Sequence, residues 1–449
     1  MGHLDGKKLY RKLGRKIDSL PTRAPWNETF YEILKELYSE KEADVVVKMP
    51  YGLSNFDRVA QATKYERSEL QKILEGLCSK GLVMDLWIKD KYRYMPSPIA
   101  VGIFEFTMMR TGESVDSKKM ARLFHEYMHG ENGGFWAANA GKGKKVSFLR
   151  ALPHEDAISP SEYTQVLDYE KATSTIESSK KFSIGICSCR HEKLHLGEKT
   201  CDVPLEKCSS FDLAADHLIR RDLAKEVSKS EMLENLAQSI EMGLVLCVDN
   251  VKRRVAYMCH CCKDCCTLLV GIRKFGYPNI VVTSSFIAKN DPDTCLGCGK
   301  CAKACPINAI QMVPIENPRT KKKKDAVIDT SICLGCGVCA LNCSEGAVSL
   351  VKREERVLHP ETTFERVILQ SLERGTLQNV IYRNPQSITQ KFMRGFVGGF
   401  LRLPPVKAAL MSDMLRSSFL NAMASKRTRG RGVAESDARS PVPARVSKP

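Results

Sequence analysis

At 449 residues the chain is too long for one core, and its 43% hydrophobic content supports several packed domains rather than a disordered polymer. No apolar run reaches the ~18 residues that span a bilayer, which excludes a membrane-crossing helix. The formal net charge of +17 is uneven: residues 1–25 carry seven Lys/Arg against two Asp, and residues 391–449 carry twelve against three acidic residues.

Basic ends of this kind serve solubility or hold an anionic partner, nucleic acid and membrane being the sharper options. The basic start has no apolar stretch behind it, so a secretory signal is not expected. Gly6 stands where a myristoylation signal requires Ser or Thr. A cytoplasmic location is expected.

Taken in chain order, residues 1–145 form the first domain. Asn27 caps a helix whose apolar residues Phe30, Ile33, Leu34 and Leu37 follow helical spacing. A short segment at 59–63 precedes a second helix with Leu70, Ile73, Leu74 and Leu77, closed by Gly81. Segments 82–88 and 92–95 flank Lys89-Asp90-Lys91 and read as a hairpin. This order resembles a winged-helix domain, which implies DNA contact. The helix that would enter the groove is nearly neutral, however, with four Lys/Arg and three Glu between Lys64 and Lys80. Phosphate contacts need a positive excess there, so protein docking or a structural role is expected before nucleic acid.

Residues 146–287 read as a small α/β domain. Strands are expected at 182–187, 244–248, 255–259 and 280–283, with a helix at 230–242 that turns Leu233, Leu236, Ala237 and Ile240 inward. Residues 288–356 form a third domain. In 357–449, helices are expected at 361–372 and 387–403, the latter with Phe392, Phe396 and Phe400 on one face and Lys391, Arg394 and Arg402 beside it. Pro404-Pro405 breaks it, and a further amphipathic stretch runs to about 423. Segment 388–423 suits packing on the protein or contact with a membrane surface. The last twenty-five residues, rich in Arg, Ser, Ala and Pro, read as disordered. The fold class is therefore α+β and multidomain.

The chemistry lies in the cysteines. There are nineteen, and all but Cys78 and Cys247 lie in tight groups between 187 and 343, a pattern of metal ligation rather than of a disulfide framework. The strongest signal is Cys295-x2-Cys298-x2-Cys301-x3-Cys305-Pro306, repeated as Cys333-x2-Cys336-x2-Cys339-x3-Cys343. Three close thiolates wrap one cluster, and the fourth, on the following helix, points to the other cluster. This assigns Cys295, Cys298, Cys301 and Cys343 to one 4Fe–4S cluster and Cys333, Cys336, Cys339 and Cys305 to a second. Paired zinc sites share the C-x2-C spacing but do not need the x3-Cys extension twice.

The repeat resembles the bacterial dicluster ferredoxins, which implies their pseudo-twofold fold, with strands at 307–312 and 347–351. Two features depart from that pattern. Ser344 replaces the second proline, and the long connection carries Lys321-Lys322-Lys323-Lys324, either a solvated loop or a docking patch for an acidic redox partner.

Nine further thiols lie upstream: Cys187, Cys189, Cys201, Cys208, Cys259, Cys261, Cys262, Cys265 and Cys266. Segment 150–285 resembles an uncharacterised cysteine-rich region that precedes dicluster ferredoxin domains in proteins of anaerobic microbes. A third iron–sulfur cluster, a zinc site and a dithiol relay all remain open. Adjacent pairs point in different directions, so not all nine face one metal. Cys187, Cys189, Cys201 and Cys208 are the expected metal ligands, with Cys259 or Cys262 close by.

Two H-E-x-x-H motifs, His125–His129 and His191–His195, place histidine pairs on one helical face, as zinc hydrolases do. Neither has the extended third histidine. No flavin, nicotinamide or nucleotide motif accompanies the cysteines. The sequence thus points to an iron–sulfur electron-transfer protein, a carrier or subunit of a larger redox system without its own substrate site. The alternative is a redox-sensing DNA-binding regulator.

Overall fold

In the computed structural model of the chain, the structure describes residues 2–429 except 113–114, 132, 164–165, 316–321, 355–356 and 358. Local capping sets up the first region. Asn27 accepts from the Phe30 amide at 2.7 Å and starts helix Glu28–Leu37. Ser39 and Glu42 form a reciprocal capping box for Glu40–Lys48. Asn55 caps Phe56–Thr63, and Arg67–Ser79 follows. Strands β1 (Val83–Trp87) and β2 (Tyr92–Pro96) form the expected hairpin. Phe30, Ile33, Leu34, Leu70, Leu74 and Leu77 are fully buried in one core.

Six further strands make one antiparallel sheet. They are β3 (Leu149–Ala151), β4 (Phe182–Ile186), β5 (Glu206–Phe211), β6 (Ala224–Val227), β7 (Val245–Asp249) and β8 (Tyr257–Cys261), ordered β3-β7-β8-β5-β4-β6. β5 and β6 are too polar to show an apolar alternation, and β3 is only three residues long, so the sequence pattern missed them. The strand expected at 280–283 is instead a 3-10 turn, Pro278–Ile280, followed by a single parallel bridge from Val282 to Arg150.

The sheet has two unlike faces. Leu246, Val248, Met258 and Phe211 pack with Met232 and Leu236 of helix Lys229–Glu241. The alternate positions, Val245, Cys247 and Cys261, join the main core on the other side.

The cysteine repeat folds as two similar halves. β9 (Phe286–Asn290) pairs with β12 (Val348–Lys352), and β10 (Ile310–Pro314) with β11 (Lys324–Ile328). Asp291 and Asp329 stand at equivalent turns, accepting from the amides of Asp293 and Ser331 and, through their carbonyls, from those of Cys295 and Cys333.

The C-terminal part begins with a clamp. Helix Thr363–Arg374 buries Ile368 and Leu372. Arg374 donates to the carbonyls of Pro21 and Asn139 at 3.0 Å each, and Glu373 accepts from the amides of Lys145 and Val146 at 2.9 Å. Helix Ile388–Arg402 leaves Phe392 72%, Phe396 70% and Phe400 56% exposed. Of the last twenty-five residues, those up to Arg429 continue helix Asp413–Arg429, and the rest lie outside the described residues. No helix among the described residues is long and apolar enough to cross a membrane.

One buried charge joins the hairpin to the sheet domain. Asp85 is fully buried on β1 and meets Arg220 at 2.7 Å, Arg221 at 2.6 Å and His217 at 2.9 Å. Burial alone would raise its pKa, but the hydrogen bonds from His217, Arg221 and Arg220 overcome burial and hold it well below the usual carboxylate range. A depressed folded-state pKa adds stability above the unfolded value of about 3.9 and loses it as the pH falls through the folded value. Asp85→Ala is expected to cost roughly 1–3 kcal/mol in urea unfolding at pH 7, since it removes the acceptor shared by His217, Arg220 and Arg221 while Arg220 keeps Asp216 and Arg221 keeps Glu75, and to flatten the acid-unfolding profile.

Candidate metal centres

In the ferredoxin-like halves each cysteine run wraps a cavity. Gly299 and Gly337, at φ +77° and +87°, turn the chain into the short helices Lys300–Ala304 and Val338–Leu341. One cavity is lined by Cys295, Cys298 and Cys301 of the first run with Cys343 of the second. The other is lined by Cys333, Cys336 and Cys339 with Cys305. The two cavities have the same volume, about 20 Å³ each, so an occupant of one size suits both. Backbone N–H groups already point at sulfur, Gly297 to Cys295 at 3.4 Å and Ala309 to Cys305 at 3.1 Å. Four thiols with N–H···S donors form the donor set that a cubane needs. Ser344, in place of proline, leaves Cys343 on the cavity wall.

The two cavities differ in surroundings. At the first, Cys298 is exposed and Leu296 is 63% exposed. At the second, the loop is pressed into the sheet domain. Ser284 donates to the Gly335 carbonyl at 2.8 Å, the His154 amide donates to the Cys336 carbonyl at 3.0 Å, and Arg353 donates to the Cys333 carbonyl.

The middle cysteines divide into two groups. On the thiol face of the sheet, Cys247 stands opposite Cys259, and Cys261 lies two residues on. Each of these thiols has another as its electrostatic neighbour: Cys208 has Cys259, Cys259 and Cys247 have Cys261, Cys261 has Cys266, and Cys266 has Cys189, which in turn neighbours Cys187. Hydrogen bonds between neighbouring thiols, then burial, push Cys187 and Cys208 well up. The bond to Cys247, opposed by those to Cys259 and Cys266, combines with burial to push Cys261 up to about 12. Cys247 also feels the charge of Cys336, one of the thiols of the buried cavity.

The second group is Cys201, Cys262 and Cys265. Cys201 Sγ stands 3.6 Å from each of the other two sulfurs. A hydrogen bond from Cys265, against burial and aided by Arg190, holds the Cys262 thiol well below the usual thiol range.

The structure therefore brings Cys187, Cys189, Cys208 and Cys259 into one network and places Cys201 and Cys262 in another group. Sequence reasoning missed Cys247, Cys261 and Cys266 in the network and Cys265 beside Cys201. The available signal was Cys259-x-Cys261 on a strand, where alternation puts both on one face.

Residues 294–347 match the family described as a 4Fe-4S dicluster domain. The chain thus carries an iron–sulfur domain of ferredoxin type, and the match spans both cysteine runs. No curated protein and no solved structure matches the chain. The matched domain ends before the clamp helix and begins after the sheet, so the middle thiols lie outside it.

The H-E-x-x-H motifs are drawn into packing. Helices Ser117–His129 and Ser188–His195 cross so that His125 Nδ1 meets Glu192 Oε1 at 3.0 Å. Glu126 is taken by the Thr29 hydroxyl at 2.8 Å, and His191 Nδ1 by the Met108 carbonyl at 2.6 Å. Among the described residues, only Cys201, Cys262 and Cys265 place three ligand atoms within 4.8 Å of one another.

A Cβ on Gly335 would lie 2.0 Å from the Phe286 carbonyl oxygen, whereas one on Gly346 meets nothing within 4 Å; both residues have φ +65°. Gly335→Ala is expected to lower the melting temperature far more than Gly346→Ala, which carries the same backbone strain without the clash.

Proposed function

We propose that the protein is a cytoplasmic iron–sulfur electron-transfer protein, a carrier or subunit of a larger redox system. Its ferredoxin-type domain would hold two clusters, one on Cys295, Cys298, Cys301 and Cys343, the other on Cys333, Cys336, Cys339 and Cys305. The observation that carries this reading is the pair of equal cavities, each lined by three cysteines of one run and the last of the other. Bound there, 4Fe–4S clusters supply one-electron exchange at potentials tuned by burial and N–H···S bonds. The chain's own residues give the domain a direction. The exposed cavity is the end a partner protein would reach; Leu296 and Lys300 line it, and Lys303, Lys323 and Lys324 are exposed in the same domain. Those lysines suit an acidic redox partner.

In the sheet domain, Cys187, Cys189, Cys208, Cys259, Cys261 and Cys266 would be the donors for a third iron–sulfur cluster, with Cys247 within electrostatic reach of Cys336 of the buried cavity. No three of these sulfurs crowd within 4.8 Å, which favours a polynuclear group over one ion. A DNA-binding regulator finds no support. On helix Arg67–Ser79, Arg67 pairs with Asp57 and Glu69 with Lys41, leaving no net positive face.

Iron and acid-labile sulfide on anaerobically purified protein are expected at about twelve per chain. Cys339→Ser and Cys261→Ser should each remove about four irons. About eight irons, unchanged in Cys261→Ser, would reduce the network to free thiols.

The exposed Phe392, Phe396 and Phe400 face favours a peripheral membrane contact for 388–423. Co-sedimentation with anionic vesicles is expected, with loss of binding in Phe396→Glu.

A further inference from the structure

We infer that Cys201, Cys262 and Cys265 form a separate binding site for a single thiophilic divalent cation, zinc being the ion whose geometry they match. Around a tetrahedral ion with metal–sulfur bonds of about 2.3 Å, ligand sulfurs stand about 3.8 Å apart. Cys201 Sγ lies 3.6 Å from Cys262 Sγ and 3.6 Å from Cys265 Sγ. In a cubane each thiolate binds its own iron, so its sulfurs stand wider. Among the described residues the trio alone places three ligand atoms within 4.8 Å of one another.

The surroundings fit the same occupant. Cys262 and Cys265 supply a C-x2-C pair just after β8, and Cys201 comes from the loop before β5. Buried Val203 and Leu244 wall the site. Three thiolates around a divalent cation leave one negative charge, which in a buried place requires a counter-charge. Arg190, fully buried, supplies it. Its guanidinium lies against Cys262 and is held by the carbonyls of Pro204, at 3.2 Å, and His260. Three protein ligands leave the fourth tetrahedral position for water or an exogenous ligand, and Cys201 is only half-buried, so that position is reachable.

This site shares no thiol with the network proposed to hold iron, because the adjacent pairs Cys261-Cys262 and Cys265-Cys266 send one sulfur to each. The two proposals are therefore read by different metals. The test is elemental analysis of full-length protein, purified anaerobically and equilibrated with zinc. About one zinc per chain is expected, lost in Cys201→Ser and in Cys265→Ser, with iron and sulfide unchanged. Cobalt(II) added to the unaltered protein should give a thiolate-to-cobalt charge-transfer band that zinc abolishes, a readout independent of any substitution.

Three outcomes would overturn the proposal. One is unaltered protein that takes up neither metal. Another is zinc retained in both variants. The third is a Cys262–Cys265 disulfide in metal-free anaerobic protein, which would assign the trio to thiol–disulfide chemistry.

Discussion

A β-strand sends every second side chain to the same face, and the middle of this molecule depends on that alternation. On β7 and β8 it puts Leu246, Val248 and Met258 against the helix Lys229–Glu241, and it puts Cys247, Cys259 and Cys261 on the opposite side. Helix Ser188–His195 and helix Thr267–Phe275 then bring Cys189 and Cys266 to that same side. One sheet thus has an apolar face that folds it and a thiol face that gives it chemistry. The same alternation explains the second site. Cys262 follows Cys261 directly, so its sulfur leaves the thiol face and meets Cys201 and Cys265.

The ferredoxin-type domain is not an appendage on this sheet. Gly335 and Gly337 have no room for a side chain, because the Phe286 carbonyl, Ala157 and His154 fill the space where one would be. The loop of Cys333–Cys339 is consequently seated in protein, while the loop of Cys295–Cys301 faces outward. Two halves nearly identical in sequence spacing are made unequal by what they touch. With a cluster in each cavity, as proposed, this inequality would separate the two potentials, since burial disfavours added charge at one site more than at the other.

The ferredoxin-type module was legible in the sequence because its information is local: ligand spacing, the glycines between ligands, and the strand after each run. Capped amphipathic helices were legible for the same reason, as Asn27 and the Phe30–Leu37 stripe show. The middle domain was less so. β5 reads Glu-Lys-Cys-Ser-Ser-Phe, whose polar residues bond to partners distant in sequence, Ser209 to His260 and Asn235 among them. The partition of the thiols depends on which strands neighbour one another, and no spacing records that. The helix at 361–372 was legible as a helix, but its role as a clamp was not, because its buried anchors, Glu373 and Arg374, are charged and bond to backbone groups of residues 21 and 139–146.

The cavity that begins at Cys295 is closed by Cys343, and the clamp that ties Pro21 and Asn139 to the sheet domain is Arg374. A chain made from its N-terminus therefore exposes most of its thiols before the residues that seal them exist. Cys187 emerges long before Cys266, and Cys295 before Cys343. If each cavity takes a cluster, as proposed, the ligand set of the exposed one would not be complete until Cys343, the last cysteine of the chain, had been made.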